Sequence, residues 1–320
     1  MSDSSSRFTD ADEQVHASDP NDWSWNESWF ISWIDLDGGP AGFFRVGLLP
    51  NQQRAMLWSF VYVNGDWLGI EESRLHLDDF DLTDGLAYDK WGLRFEWHPD
   101  RPMQGARFRF DGTALTRSGP NAGAYSRLSL KLACRATGAA AGPGSRQEGA
   151  AKPYPVDRFE QSLEASGNLV IDGTSRAVRA GAHRDRSWGP REWRLQFTIG
   201  DVQGQDRQLY FVGSPAYGIG AGYLREGASP LRNLAWVGGS VEYNDDARTI
   251  LPGQLAFDDP DGNRIDVDIT PIAPSVAFDM AHTCEEPEQW LYWRTLIEAR
   301  VPGWDGTHRG WFEADRYAPG

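Results

Sequence analysis

The sequence predicts an all-β protein: two consecutive antiparallel β-barrel-like or sandwich domains packed together. Segment after segment alternates apolar and polar residues with period two. Turn-forming residues recur about every ten positions, as in a meandering sheet or barrel. The two halves are alike in size and strand spacing, with a low-complexity stretch between them. One continuous β-sandwich is the alternative this pattern leaves open.

Met1 to Asp19 is rich in Ser and Asp and carries no apolar run, so residues 1–20 are expected to be a disordered arm rather than a signal peptide. The first domain is expected over 21–135. Its strands are Phe43–Leu49, Ala55–Val63, Leu93–Trp97, Ala106–Phe110 and Ser126–Cys134. Asn64-Gly65-Asp66 closes the second of these with a hairpin signal, and Asp111-Gly112 is expected to end the fourth. Ala136 to Ala150 is Gly-, Ala-, Ser- and Pro-rich without periodicity, which reads as a linker or long loop over 136–152. The second domain, 153–320, opens with Arg158–Leu169 and continues with strands near Trp193–Ile199, Gln208–Val212, Leu234–Tyr243, Asn263–Ile269 and Leu291–Val301. Helix is confined to a turn around Glu286–Tyr292, where Pro287 permits little more.

A net charge of −15 repels polyphosphate backbones, so nucleic acid is not an expected partner. No window approaches a membrane span, so stable insertion is not expected either. Cys134 and Cys284 are too few for a disulfide framework, and neither has metal-ligand spacing; reduced thiols and a cytoplasmic location follow as the expectation. The 15 Trp exceed an ordinary core's need and suit a chain that encloses an apolar ligand.

The densest chemistry lies in His183-Arg184-Asp185-Arg186-Ser187-Trp188-Gly189-Pro190-Arg191-Glu192-Trp193. An ordinary core strand would bury these charges without partners. In a strand, His183, Asp185 and Ser187 share one face, while Arg184, Arg186 and Trp188 share the other. Two readings stand side by side. In one, the arginines and Asp185 form a structural ion network, with Trp188 and Trp193 plugging an interface. In the other, His183 or Asp185 moves a proton and an arginine tunes it or holds an anionic group.

His-Arg-Asp-Arg-Ser-Trp-Gly at 183–189 resembles the His-Asp-His-x-Trp-Gly-type motif of carotenoid 1,2-hydratase-like proteins. These tandem lipocalin-like proteins include kievitone hydratase and Diels–Alderases. Asn26-Glu27-Ser28-Trp29-Phe30 with Asp35-Leu36-Asp37-Gly38-Gly39, and Gly310-Trp311-Phe312-Glu313-Ala314-Asp315-Arg316, are similar to segments of bacterial members. The resemblance implies two lipocalin-like barrels, a ligand cavity near their interface, and acid–base chemistry by His, Trp, Tyr and Asp side chains. Asp185 and Trp188 match the motif. Arg184 and Arg186 stand where the family has histidines, and a guanidinium is a poor proton donor. Tyr210 and Tyr217 are the candidates for the downstream tyrosine.

Other motifs carry less. His282 lies beside Cys284 among acidic residues without a second ligand at metal spacing, so no metal is expected; it stays a rim candidate. Asp258-Asp259-Pro260-Asp261-Gly262-Asn263 lacks the closing glutamate of a calcium loop and reads as a hairpin turn. Tyr217-Gly218-Ile219-Gly220-Ala221-Gly222-Tyr223 lacks the following helix of a dinucleotide cradle and signals close backbone approach instead.

The function expected is that of a cofactor-independent acid–base enzyme: hydration, dehydration or isomerisation of an apolar isoprenoid, steroid-like or aromatic small molecule. His183 and Asp185 are the candidate proton-transfer residues. Arg184, Arg186, Trp188, Trp193, Tyr210, Tyr217 and His282 are candidates for binding or tuning. The alternative is a non-catalytic carrier of a hydrophobic ligand.

Overall fold

The computed structural model describes residues 8–142, 157–191, 193, 196–214, 219–227, 229, 231–244, 250–278 and 290–317. Among them there is no α-helix, only three short 3-10 turns at Asp10–Glu13, Pro50–Gln52 and Leu77–Asp79. They contain no helix long and apolar enough to cross a membrane. Tyr217, His282, Cys284 and residues 286–289 of the expected helical turn lie outside the described residues; 290–292 of that turn are strand.

The first unit contains β1 (Trp25–Asp35), β2 (Ala41–Leu49), β3 (Arg54–Val63), β4 (Asp66–His76), β5 (Phe80–Asp81), β6 (Leu86–Lys90), β7 (Leu93–Arg101), β8 (Gly105–Ser118), β9 (Tyr125–Ala136), β10 (Asp157–Ile171) and β11 (Thr174–Pro190). Every pairing among the described residues is antiparallel, in the order β4-β3-β2-β1-β11-β10-β9-β8-β7-β6-β5. Pairing of β4 with β8 closes eight of these strands into a barrel. Local sequence sets the corners: Asn64-Gly65, Trp91-Gly92 and Asp172-Gly173 take positive φ at both turn positions, which matches the twist of two-residue hairpins. Asp111-Gly112 is not a terminus, because β8 runs on to Ser118 and Gly112 pairs with Leu128.

The second unit contains β12 (Phe197–Gln203), β13 (Arg207–Ser214), β14 (Ile219–Glu226), β15 (Arg232–Ser240), β16 (Gly253–Asp258), β17 (Arg264–Pro271), β18 (Val276–Ala277), β19 (Trp290–Arg300) and β20 (His308–Tyr317). Its order is β17-β16-β15-β14-β13-β12-β20-β19-β18, and pairing of β17 with β19 again joins eight strands in a ring. Val202, Leu209, Phe211, Leu255, Phe257, Val267 and Phe312 form its core. The expected roles of two motifs hold here. Asp259 accepts from the amides of Asp261 and Asn263 in the β16–β17 turn. A Cβ on Gly222 would come within 2.3 Å of the Tyr210 carbonyl, so the glycines of β14 mark close backbone approach.

Two expectations need correction. The low-complexity stretch does not divide the units: it lies between β9 and β10, which pair with each other from Ala136↔Leu163 to Leu128↔Ile171. Arg158–Leu169 and the charged motif therefore complete the first barrel, and the division falls after Arg191 instead of at 135–153. The physical reason is closure, since without β10 and β11 the pairing between β1 and β9 would be open. Within the expected disordered arm, the described residues 8–20 include buried Phe8 and Glu13 and the 3-10 turn Asp10–Glu13.

Aromatic side chains fill the first barrel. Phe44 meets Phe95, Phe108 and Phe110 at ring distances of 5.3, 4.9 and 5.7 Å. Trp29, Trp33 and Trp97 belong to the same core, so much of the tryptophan content is packing. Burial pushes the Cys134 thiol up to about 12, which leaves it an inert core group. Tight β9–β10 contact generates a test. A Cβ on Gly167 would stand 1.8 Å from the Lys131 carbonyl, so Gly167→Ala should destabilise by roughly 2–4 kcal/mol in urea unfolding.

Candidate functional site

Strand β11 carries the charged motif between β1 and β10, with His183 opposite Ser32 and Ser162, and Asp185 opposite Phe30 and Glu160. Ala180 and Ala182 point into the barrel core with Trp29, Ile31 and Trp33. Alternation therefore sends Arg184, Arg186 and Trp188 inward and His183, Asp185 and Ser187 outward. The two faces do different things.

On the inward face the arginines meet an N-terminal strap, residues 8–24. Arg184 donates Nη1 and Nη2 to the Glu13 carboxylate at 3.0 and 2.6 Å, and Nε to Gln161 Oε1 at 2.8 Å. The Met103 amide adds a third donor to Glu13 at 2.9 Å. Burial pushes the Glu13 carboxyl up, but the Arg184 charge and these hydrogen bonds outweigh it and hold it below the ordinary range. Arg186 donates to Glu27 at 2.6 Å, to the Gln14 carbonyl at 2.8 Å and to the Ser28 carbonyl at 2.9 Å. Its guanidinium lies 3.8 Å over the Trp29 ring. Trp188 stacks on His16 at 3.9 Å, and His16 Nδ1 lies 3.1 Å from Glu27. These residues hold the strap, so the structural reading describes Arg184, Arg186 and Trp188.

On the outward face four ionisable side chains cluster. His183 Nε2 lies 2.5 Å from Glu160 Oε2, Arg158 Nε donates to Glu160 Oε1, and Arg158 Nη2 donates to Asp185 Oδ2 at 3.0 Å. His183 and Glu160 are sealed, with 3% and 0% of their side-chain surface exposed. Asp185 and Arg158 keep 12% and 17%, so they are the reachable members. Burial raises the Asp185 carboxyl above the usual range; the Arg158 charge opposes this and Glu160 adds to it. One row away, the Ser28 and Ser187 hydroxyls are 2.6 Å apart. The Ser32 hydroxyl, in the row of His183, is buried without a hydrogen-bond partner. Such an arrangement can hold a proton on a carboxyl at a pH where an exposed one has lost it, and can stabilise the anion once the proton has gone.

Sequence reasoning brought His183 and Asp185 together but missed Arg158 and Glu160. Their signal was the alternation Arg158-x-Glu160-x-Ser162, which matters once β10 is known to lie beside β11. The tuning guanidinium is Arg158, because Arg184 and Arg186 face the other way. In the second unit Tyr210 stacks on Tyr223 at 5.2 Å and pairs in register with Asp201. Arg294 donates to Glu313 at 2.8 Å there, and the Trp193 carbonyl accepts from the Tyr292 hydroxyl at 3.0 Å. No group of His, Cys, Asp and Glu that could hold a metal occurs among the described residues.

The strap pair is testable. Arg184→Met should cost about 3–5 kcal/mol by leaving Glu13 buried and uncompensated, and Glu13→Gln/Arg184→Met should recover much of it. The depressed Glu13 carboxyl stabilises the fold above the unfolded value of about 4.3. That contribution is lost as pH falls through the folded value, so thermal unfolding of the double variant should be less acid-sensitive than wild type.

A search of curated protein sequences finds no match. In structure the chain is similar to a putative AttH from Nitrosomonas europaea, with 14% identity, 98% of each chain covered and a TM-score of 0.62. Kievitone hydratase from Nectria haematococca aligns at 13% identity over 98% of this chain and 96% of its own, with a TM-score of 0.59. CghA solved with Sch210972 aligns at 12% identity over 97% and 96%, with a TM-score of 0.56. These likenesses establish the fold. In sequence, residues 9–316 match the family described as Domain of unknown function (DUF7064), and the chain belongs to that family.

Proposed function

We propose that the outward face of β11 is an acid–base site and that the protein is a cofactor-independent enzyme of hydratase, dehydratase or isomerase type acting on an apolar small molecule. The observation that carries this is Asp185: a carboxyl raised by burial, still reachable, with a guanidinium 3.0 Å away to receive its charge. Asp185 donates its proton to an alkene or carbonyl of the substrate. Arg158 steadies the carboxylate left behind, and the return of a proton from water or from the substrate completes the cycle. His183 and Glu160 lie behind this pair and position Arg158 through Glu160. Two structural neighbours support the reading: one is a hydratase by name, and CghA was solved with Sch210972.

Incubation with terpenoid, steroid and phenolic alkenes, followed by chromatography and product masses, tests the proposal. A gain or loss of one water, or an isomeric product, is expected with wild type. Asp185→Asn should lower turnover by roughly 100-fold or more. Recovery of every bound compound intact would make the protein a carrier. Activity should fall as pH rises through the raised Asp185 value. Stability gives a second readout. The folded carboxyl binds its proton more tightly than the unfolded one, so Asp185 costs stability as pH rises from about 4 through its folded value. Asp185→Asn should therefore unfold at the same or a higher temperature than wild type at pH 7, whereas a structural ion-pair member would lose stability.

A further inference from the structure

The inward face of β11 holds an arrangement that strap closure alone does not require. Beside Arg184, Asp185 and Arg186 is a small cavity, with room for about one water, lined also by Trp29, Phe30, Ile31, Phe44 and Trp97. Three N–H donors of its lining residues, Trp29 Nε1, Trp97 Nε1 and Arg186 Nε, are buried without an acceptor. Buried donors ordinarily find a partner, so the cavity's chemistry selects for an oxygen acceptor. The strap already supplies one such group at the cavity edge, the Glu13 carboxylate gripped by both terminal nitrogens of Arg184. Five residues before it, the Phe8 ring packs at 5.4 Å on Phe159, in an apolar cluster with Ala140, Trp188 and the neighbouring Met103. A plug with a purely structural task is served as well or better by apolar side chains, because a buried ion pair gains little over them.

We propose that the mouth of the first barrel is a binding site for an apolar carboxylate, and that the strap is its built-in competitor. Glu13 stands in for the ligand's carboxylate on Arg184, and Phe8 stands in for its apolar body on Phe159. The incoming carboxylate takes over the contact with Arg184 that Glu13 now holds and, free of the strap's tether, can sit nearer the unpaired indole and guanidinium donors. Closure by the strap lowers the apparent affinity by the fraction of molecules in which the mouth is open. The Glu13–Arg184 and Phe8–Phe159 contacts lie on the face of β11 opposite the Asp185 side chain, and binding is read without turnover, so failure here and failure of the proposed reaction are distinguishable.

Dodecanoate, used below its micellar concentration, is the probe. Titration calorimetry should show binding to wild type, and binding roughly tenfold or more tighter to Glu13→Gln, which removes the competing charge while keeping the side chain's length. Methyl dodecanoate should not bind, and Glu13→Gln/Arg184→Met should lose the acid. A second measurement needs no variant: dodecanoate should speed proteolysis within residues 8–24 of wild type by freeing the strap. Absence of binding to wild type and to folded Glu13→Gln would overturn the proposal. So would equal affinity for acid and ester, or strap cleavage that dodecanoate leaves unchanged.

Discussion

The first barrel depends on one constraint: β11 must cross the middle of a closed sheet while carrying three arginines, a histidine and an aspartate within its last dozen residues. A strand offers two faces, and no charge on either can be left unpaired at a cost the fold would tolerate. Neighbouring strands meet the need on both sides. Glu27 of β1 and Gln161 of β10, with Glu13 of the strap, answer the inward arginines. Glu160 and Arg158 of β10 answer the outward His183 and Asp185. Residues far apart in sequence are thus fixed to each other by the register of a single strand. A slip of one position would exchange the two sets and strand every charge.

This division of labour explains what was legible in the sequence. Alternating segments such as Ala106–Phe110 and Ser126–Cys134 announced their strands because each has one apolar face. The Asn-Gly hairpin was legible because only certain residues accept positive φ. Strand β1 was not, since Trp25–Asp35 is buried along nearly its whole length and an element buried on both faces shows no alternation. The domain boundary was misplaced for a related reason. A Gly-, Ala- and Pro-rich stretch looks the same whether it joins domains or adjacent strands, and only closure of the sheet tells them apart. Asp172-Gly173 was the overlooked cue, because a hairpin there ties β11 to β10.

The candidate site was half legible. Alternation alone placed His183 and Asp185 together and set Arg184, Arg186 and Trp188 apart, and the register bears this out. What alternation could not supply was the partners. The strap was hidden because its Ser- and Asp-rich composition reads as disorder, yet Glu13 is ordered by a partner 171 residues away. Composition speaks for a segment in isolation; burial of a charge is decided by what comes to meet it.

Arginine at 184 and 186 has a physical sense. Both positions point into the first barrel, on the face of β11 opposite Asp185. Histidine titrates near neutral pH and would make the strap's attachment depend on protonation. Arginine keeps its charge throughout the physiological range, and its planar fork grips a carboxylate at two points. Arginine therefore makes the inner face permanently cationic, while on the outward face burial raises the carboxyl of Asp185, which keeps 12% of its surface exposed.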